Sequence, residues 1–313
     1  MVALLTIVAV MPRAIVPANI GTIEIEYETM GSPSDPPLLL VMGFGAQMIT
    51  WTDSFCRGLV NQGLFVIRFD NRDCGLSTKL DGVAADPDAV MAAALTGQPI
   101  PPVPYTLSDM ADDAFGLLTH LGFETAHIAG ASMGGMIVQT MAIEHPDRVR
   151  SLTSIMSMTG EFDIGSPTPE AGTVLLAPPP PDRQGYIDYS VKYGIWQSKR
   201  YFDADRNRVE AARSYDRSFY PEGSTRQLAA IYASGSRADG LRELKVPTLV
   251  IHGTDDTLLP PEGGRRTAEL IPDSTLLMVA DMGHDSPEPL DGLLTGAIGA
   301  HVKLVEWQRA TGR

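Results

Sequence analysis

Three observations predict an α/β protein with a mostly parallel sheet, covering helices and a helical insertion late in the chain. Two continuous aliphatic runs, LLLVMG at 38–43 and LFVIRFD at 64–70, have the composition of central strands covered on both faces. Strand-like AHIAGAS (126–132), helix-like MIVQTMAIEH (136–145) and strand-like SLTSIMSM (151–158) then alternate, the rhythm of parallel crossover units. That rhythm breaks at residues 159–240, where Pro178–Pro181 form a stiff run and no buried strand is legible, and it returns with VPTLVIHG at 246–253.

The remaining elements follow from periodicity. Residues 20–30, IGTIEIEYETM, alternate apolar and polar with period two, so a half-buried strand in an antiparallel hairpin opens the sheet. A helix-length stretch at about 47–62 separates the two aliphatic runs. Leu107, Met110, Ala111, Ala114, Leu117, Leu118 and Leu121 form a helical stripe, with Thr106 and Asp109 at its start and Gly122 just past its end. A helix at about 261–271, a strand TLLMVAD at 275–281 and a terminal helix at about 287–308 close the chain. A length of 313 residues suits one core with a sizeable insertion: residues 1–158 and 241–313 as the core, 159–240 as the insertion.

A net charge of −14 excludes nucleic acid as the partner, since that affinity is drawn from clustered Lys and Arg. The insertion is nearly balanced in charge, so the core carries almost all of the excess. Two cysteines, Cys56 and Cys74, are too few for a disulfide framework and are read as reduced. The apolar opening Val2–Val10 is too short to span a bilayer, lacks a basic leader and meets Pro12 and Arg13 at once. The expectation is a cytoplasmic protein with no integral membrane segment. The alternatives are export or envelope association through the apolar N-terminus, and a true start at Met11.

Chemistry concentrates in a few loops. Gly130-Ala131-Ser132-Met133-Gly134 fits G-x-S-x-G, the sharp strand-to-helix turn that lifts a serine hydroxyl clear of a sheet, and here it follows an aliphatic strand and opens an apolar helix. A serine hydroxyl needs a base with a pKa near neutrality, which points to histidine. Of six histidines, His120, His127, His145, His252 and His301 fall in or at the ends of helices and strands, whereas His284 lies in a loop after the last strand. The orienting acid belongs between them, after the penultimate strand, where HGTDD offers Asp255 and Asp256. Asp256 is preferred, with Asp255 as the alternative and otherwise a turn former. Acyl transfer also needs two backbone N–H donors for the oxyanion, expected at Met133 and at Phe44, which is flanked by Gly43 and Gly45. No second His/Cys/Asp cluster has the spacing of a metal site, and the chemistry requires neither metal nor organic cofactor.

These segments, VMGFG at 41–45, FDNRDCGLST at 69–78, GASMGG at 130–135, IHGTDD at 251–256 and MGH at 282–284, resemble the α/β-hydrolase superfamily in both content and order. The resemblance covers nearly the whole core and implies an eight-stranded sheet with a mainly helical cap after the sixth strand. More narrowly, LLLVMG, the Trp51 region, GLFVIRFDNRDCGLST and the Pro-rich loop near 100–105 look like the aclacinomycin methylesterase group, which includes mycobacterial lipase G-like esterases. Met42-Gly43 departs from the His-Gly of many relatives, a position that supports the loop and does not react. Asp70, Arg72, Gly75 and Ser77 match a recurrent family segment, read here as a structural turn.

The cap region holds 11 of the chain's 21 aromatic residues, among them Tyr186, Tyr193, Trp196, Tyr215 and Phe219. They suit an apolar acyl chain or ring, or alternatively the packing of the cap itself. The function expected is an esterase or lipase-like hydrolase that cleaves a small-molecule ester or thioester through an acyl-enzyme on Ser132. The rivals are a cofactor-free perhydrolase or haloperoxidase, a C–C hydrolase on the same triad, and a ligand receptor with a slow triad.

Overall fold

The computed structural model describes residues 12–312, so the apolar opening and Met11 lie outside the described residues. In chain order the elements are β1 (Arg13–Ala18), β2 (Gly21–Met30), β3 (Pro37–Val41), α1 (Asp53–Val60), β4 (Phe65–Phe69), α2 (Pro87–Thr96) and α3 (Leu107–His120). Then come β5 (Ala126–Ala131), α4 (Met133–Glu144), β6 (Val149–Ile155), α5 (Pro169–Leu176), α6 (Arg183–Ser190), α7 (Ala204–Arg217), α8 (Pro221–Ser234) and α9 (Ala238–Arg242). The chain closes with β7 (Thr248–Gly253), α10 (Pro261–Leu270), β8 (Thr275–Val279) and α11 (Asp291–Thr311). This is the α/β-hydrolase fold, with a helical cap inserted after β6.

The eight strands lie in the order β1-β2-β4-β3-β5-β6-β7-β8. The opening hairpin is antiparallel and β2 joins β4 antiparallel, while every pair from β4 to β8 is parallel. Alternation along the strands sorts the core into two layers. Leu39 and Val41 pack with Met110, Ala114, Leu118, Ile137 and Met141 of α3 and α4. Their neighbours Leu38 and Leu40 pack with Phe55, Leu59, Leu294, Ile298 and Val302 of α1 and α11. Buried on both faces, the central strands need aliphatic side chains at every position, which is why 38–43 and 64–70 read as unbroken runs.

Helix α3 starts where its cap signals fall: the Asp109 amide donates to Thr106 Oγ1 and the Thr106 amide to Asp109 Oδ2, a closed capping box. The stretch 47–62 resolves into a single turn of 3-10 helix, Met48–Thr50, and then α1, which is capped by Thr52. Helix α2 has no counterpart in the sequence reading. Its signals were nevertheless present, with Asp86 as cap, Pro87 in the first turn and Gly97 as a left-handed stop.

The FDNRDCGLST segment ties cap to core. Asp73 is fully buried and receives Arg226 of α8 through two 2.8 Å bonds, as well as the Tyr105 hydroxyl and the Leu80 amide. Asp70, also fully buried, accepts the Met48 and Leu76 amides and pairs with Arg217 of α7 at 2.7 Å. Gln227 of α8 donates to the Arg72 carbonyl and accepts the Gly45 amide. Arg72 forms a two-bonded pair with Asp113 of α3, at 2.6 and 2.7 Å. Removing one partner of such a pair strands a buried charge, so Arg226→Met is expected to lower stability by about 3–5 kcal/mol. Arg183→Met, which breaks only the solvent-exposed pair with Asp216, is expected to change it little. Urea denaturation of both variants checks the contrast.

Candidate active site

The strand order reverses about β3, and ligands of open parallel sheets bind beyond the carboxyl ends of strands at such a point. Four loops meet there: those after β3, β5, β7 and β8. Ser132 stands between β5 and α4 with φ 58° and ψ −122°, left-handed backbone that a side chain adopts only where its surroundings enforce it. Here they do. The Ser132 amide donates to the Ile155 carbonyl at 3.0 Å, and the Ser132 carbonyl accepts Ser157 Oγ at 2.8 Å. Gly134 lets α4 begin against β3, since a Cβ there would lie 2.1 Å from the Val41 carbonyl oxygen. The serine therefore sits at the start of an α-helix with its side chain partly open to solvent.

Asp256 lies just past β7 and its side chain is fully buried. Its Oδ1 accepts the Leu258 and Leu259 amides at 2.9 and 2.8 Å, and its Oδ2 lies 2.7 Å from His284 Nδ1. A carboxylate only accepts, so His284 Nδ1 carries the proton and Nε2 is left as the basic nitrogen. Burial opposes ionisation of Asp256, but the charges and hydrogen bonds of His284 and His252 outweigh it and hold the carboxyl below the usual range. Asp255, one residue earlier, is half-buried and takes the Thr254 hydroxyl at 3.0 Å, while its amide donates to the Met282 carbonyl. Asp256 and His284 are thus brought together, and Asp255 is turned to its own loop. Among the described residues no hydrogen bond joins Ser132 Oγ to His284, and in a site without substrate that bond is commonly long.

The loop after β3 passes over Ser132. A Cβ on Gly43 would lie 2.9 Å from the Ser132 Cβ, so the backbone that leads to Phe44 runs directly beside the hydroxyl. Asn71 holds this loop by donating to the Met42 carbonyl at 2.8 Å. Neither the Phe44 amide nor the Met133 amide donates to another group among the described residues. Both remain free to bind a developing negative charge.

Sequence reasoning passed over His252. Lying inside β7 it was set aside as a base, yet its Nε2 approaches Asp256 Oδ2 to 3.5 Å while donating to the Leu259 carbonyl at 2.7 Å. Its Nδ1 is buried without a partner among the described residues and packs on Gly264 of α10, so the ring supports the acid and has no exposed nitrogen to offer a substrate. The cap's backbone contact to the base is likewise absent from the sequence reading: the Trp196 carbonyl accepts the His284 amide at 2.6 Å. Trp196 stacks on Tyr193 at 5.2 Å, and Tyr186, Tyr215 and Phe219 form a second cluster, with Tyr215 and Phe219 stacked at 4.6 Å. Among the described residues no group of His, Cys, Asp and Glu is placed to hold a metal ion. No helix among them is long and apolar enough to cross a membrane.

The depressed Asp256 carboxyl has a consequence for stability. Its contribution is complete above its unfolded value, about 3.9, and is lost as the pH falls through the lower folded value. The stability gap between wild type and Asp256→Asn is therefore expected to be widest near neutrality and to shrink below about pH 4. Urea denaturation at several pH values checks it, and a gap constant with pH would show that the carboxylate's charge is not what the fold uses.

Comparison with known proteins agrees with this architecture. The chain is similar to rhodomycin D methylesterase DnrP of Streptomyces peucetius, 28% identical over 300 residues that cover 88% of this chain and 94% of that one. Among solved structures it is similar to a thermophilic esterase from Thermogutta terrifontis, with a TM-score of 0.69, 26% identity and coverage of 94% and 99% of the two chains. An enol-lactonase from Burkholderia xenovorans LB400 has the same fold, with a TM-score of 0.70 at 23% identity and coverage of 93% and 100%. The model of the alpha/beta hydrolase fold family matches residues 36–288, from the start of β3 to beyond His284, and the chain belongs to that family.

Proposed function

We propose that the protein is a serine carboxylic ester hydrolase that works through an acyl-enzyme on Ser132. The observation that carries this reading is the 2.7 Å pair of Asp256 and His284, at the same edge of the sheet as a serine on a left-handed turn and two backbone amides that donate to no other group among the described residues. His284 Nε2 takes the Ser132 proton as Oγ attacks the ester carbonyl, and the Phe44 and Met133 amides receive the oxyanion. Collapse of that intermediate expels the alkoxide, which leaves as alcohol with the proton from His284. Water, deprotonated by the same imidazole, then releases the acid and restores Ser132. Asp256 holds the imidazole tautomer and offsets the positive charge that forms on it.

The substrate class follows from the cap. Of its aromatic residues, Trp196 packs on Leu258, two residues beyond the acid, and aromatic rings suit an apolar acyl chain or a fused ring system. Similarity to rhodomycin D methylesterase over most of both chains supports the narrower choice, a methyl ester carried on an aromatic polyketide, within the aclacinomycin methylesterase-like group. The second reading is C–C bond hydrolysis, favoured by a partial likeness to 2-hydroxymuconate semialdehyde hydrolase of Pseudomonas putida, 29% identical over 194 residues.

Turnover of p-nitrophenyl esters, methyl esters of aromatic acids and a ring-cleavage dienoate, together with fluorophosphonate labelling, tests the proposal. Wild type is expected to hydrolyse the esters and to be labelled on Ser132. Ser132→Ala and His284→Ala are expected to lower kcat by roughly 10⁶-fold and Asp256→Asn by roughly 10⁴-fold. Asp255→Asn is expected to change it little. A wild type that cleaves only the dienoate moves the assignment to C–C hydrolysis, and one that neither turns over nor labels refutes it.

A further inference from the structure

Four consecutive cap residues, Ile195–Ser198, bind both loops that carry Asp256 and His284. Thr257, the residue after Asp256, donates its hydroxyl to the Ile195 carbonyl at 3.0 Å. The His284 amide donates to the Trp196 carbonyl at 2.6 Å. Ser198 is fully buried: its Oγ accepts the Gly283 amide at 2.9 Å and donates to Asp285 Oδ1, which also takes the Ser198 amide at 3.0 Å. The fit is close, because a Cβ on Gly283 would lie 2.4 Å from the Trp196 carbonyl oxygen. The strap is itself fastened to the cap, where Gln197 accepts Asn207 of α7 at 2.7 Å and Trp196 packs with Ala171 of α5 and with Leu258, two residues beyond the acid.

Among the described residues the His284 side chain has one hydrogen bond, Nδ1 to Asp256, and its backbone N–H goes to the cap. The residues on either side, Gly283 and Asp285, are bound to Ser198. A short loop after a strand, fixed at three successive residues by a segment some 85 positions away, has its conformation set by that segment.

We infer that the strap Ile195–Ser198 is a positioning element for the base, with Ser198 and Asp285 as its positioning residues, so that the cap contributes to the chemical step as well as to substrate binding. The inference rests on the role proposed above for His284. An imidazole displaced by roughly 1 Å can cost about 100-fold in rate without altering how the acyl group is held. The loss therefore falls on kcat and spares KM.

The test compares the full-length wild type with Ser198→Ala, Asp285→Ala and Asp285→Asn in p-nitrophenyl ester turnover, thermal unfolding and proton NMR of the imidazole Nδ1–H that faces Asp256. Asn keeps the acceptor oxygen, so the expected order is Asp285→Asn close to wild type and the two Ala variants about 10- to 100-fold down in kcat, with KM within about twofold. In the Ala variants the downfield Nδ1–H signal is expected to broaden through faster exchange with water, in Asp285→Asn to persist. The NMR readout needs no turnover, so it decides the inference even if the protein proves not to be an esterase. That failure would show separately, as a wild type unlabelled by fluorophosphonate. Folded Ala variants with wild-type kcat and an unchanged Nδ1–H signal would overturn the inference, as would an Asn variant as damaged as the Ala one.

Discussion

The left-handed turn at Ser132 is the constraint on which the rest of the structure depends. A non-glycine residue at φ 58° costs energy that the turn alone cannot recover, so the surrounding backbone must hold it there. It does so from three directions: β6 through the Ile155 carbonyl, the segment after β6 through Ser157, and β3 through the contact that Gly134 permits. Each of these contacts requires β5 to lie between β3 and β6 in the observed register, with Leu40 beside Ala129 and Ser154 beside Gly130. The strand order of the sheet and the exposure of one hydroxyl are in this sense a single fact.

A second set of interactions lets a charged cap sit on an aliphatic core. The cap is nearly neutral overall but rich in Arg, and two of those arginines, Arg217 and Arg226, end on the buried carboxylates of Asp70 and Asp73. Ion pairs this deep are weak contributors to net stability, because desolvation offsets their attraction. What they supply is direction. Arg226 sets two donors on the Asp73 carboxylate and so has one orientation, while Asp70 takes one Arg217 nitrogen and gives its remaining capacity to the Met48 and Leu76 amides. The loop after β3, the turn after β4 and the last residue of α7 in the cap are therefore registered on the same side chain, and Phe44 lies in the first of them.

Much of this was legible in the sequence because the signals are local. The aliphatic runs of β3 and β4 follow from burial on both faces, and the capping box of α3 from a Thr and an Asp three residues apart. Ser132, Asp256 and His284 could be selected because each had to fall in a loop after a strand, a matter of order along the chain. What could not be read is whatever depends on two distant segments meeting. The preference for Asp256 over Asp255 rested on spacing, and the physical distinction, a buried carboxylate against one that caps its own turn, appears only once the loop is closed over Leu258 and Leu259. The strap at 195–198 has no sequence signature at all, since its bonds to the His284 loop run mostly through backbone atoms and one serine. Helix α2 is a different case: its start and stop signals were local and were overlooked beside the neighbouring prolines.

The aromatic content of the cap admitted two readings, a pocket for substrate or a core for the cap itself, and the contacts these residues make are those of packing. Tyr189 and Tyr215 hydrogen-bond to the Val174 and Pro181 carbonyls and so serve the cap's own packing. Trp196, stacked on Tyr193, packs on Leu258 beside the acid and passes its carbonyl to the base. One residue thereby joins the packing of the cap to the backbone that aims His284. The acid is oriented from within the core, by two amides of its own loop, and the imidazole from outside it, by the cap. The alignment of the pair depends on both bodies keeping their relative position, which is what the buried Asp70 and Asp73 pairs enforce.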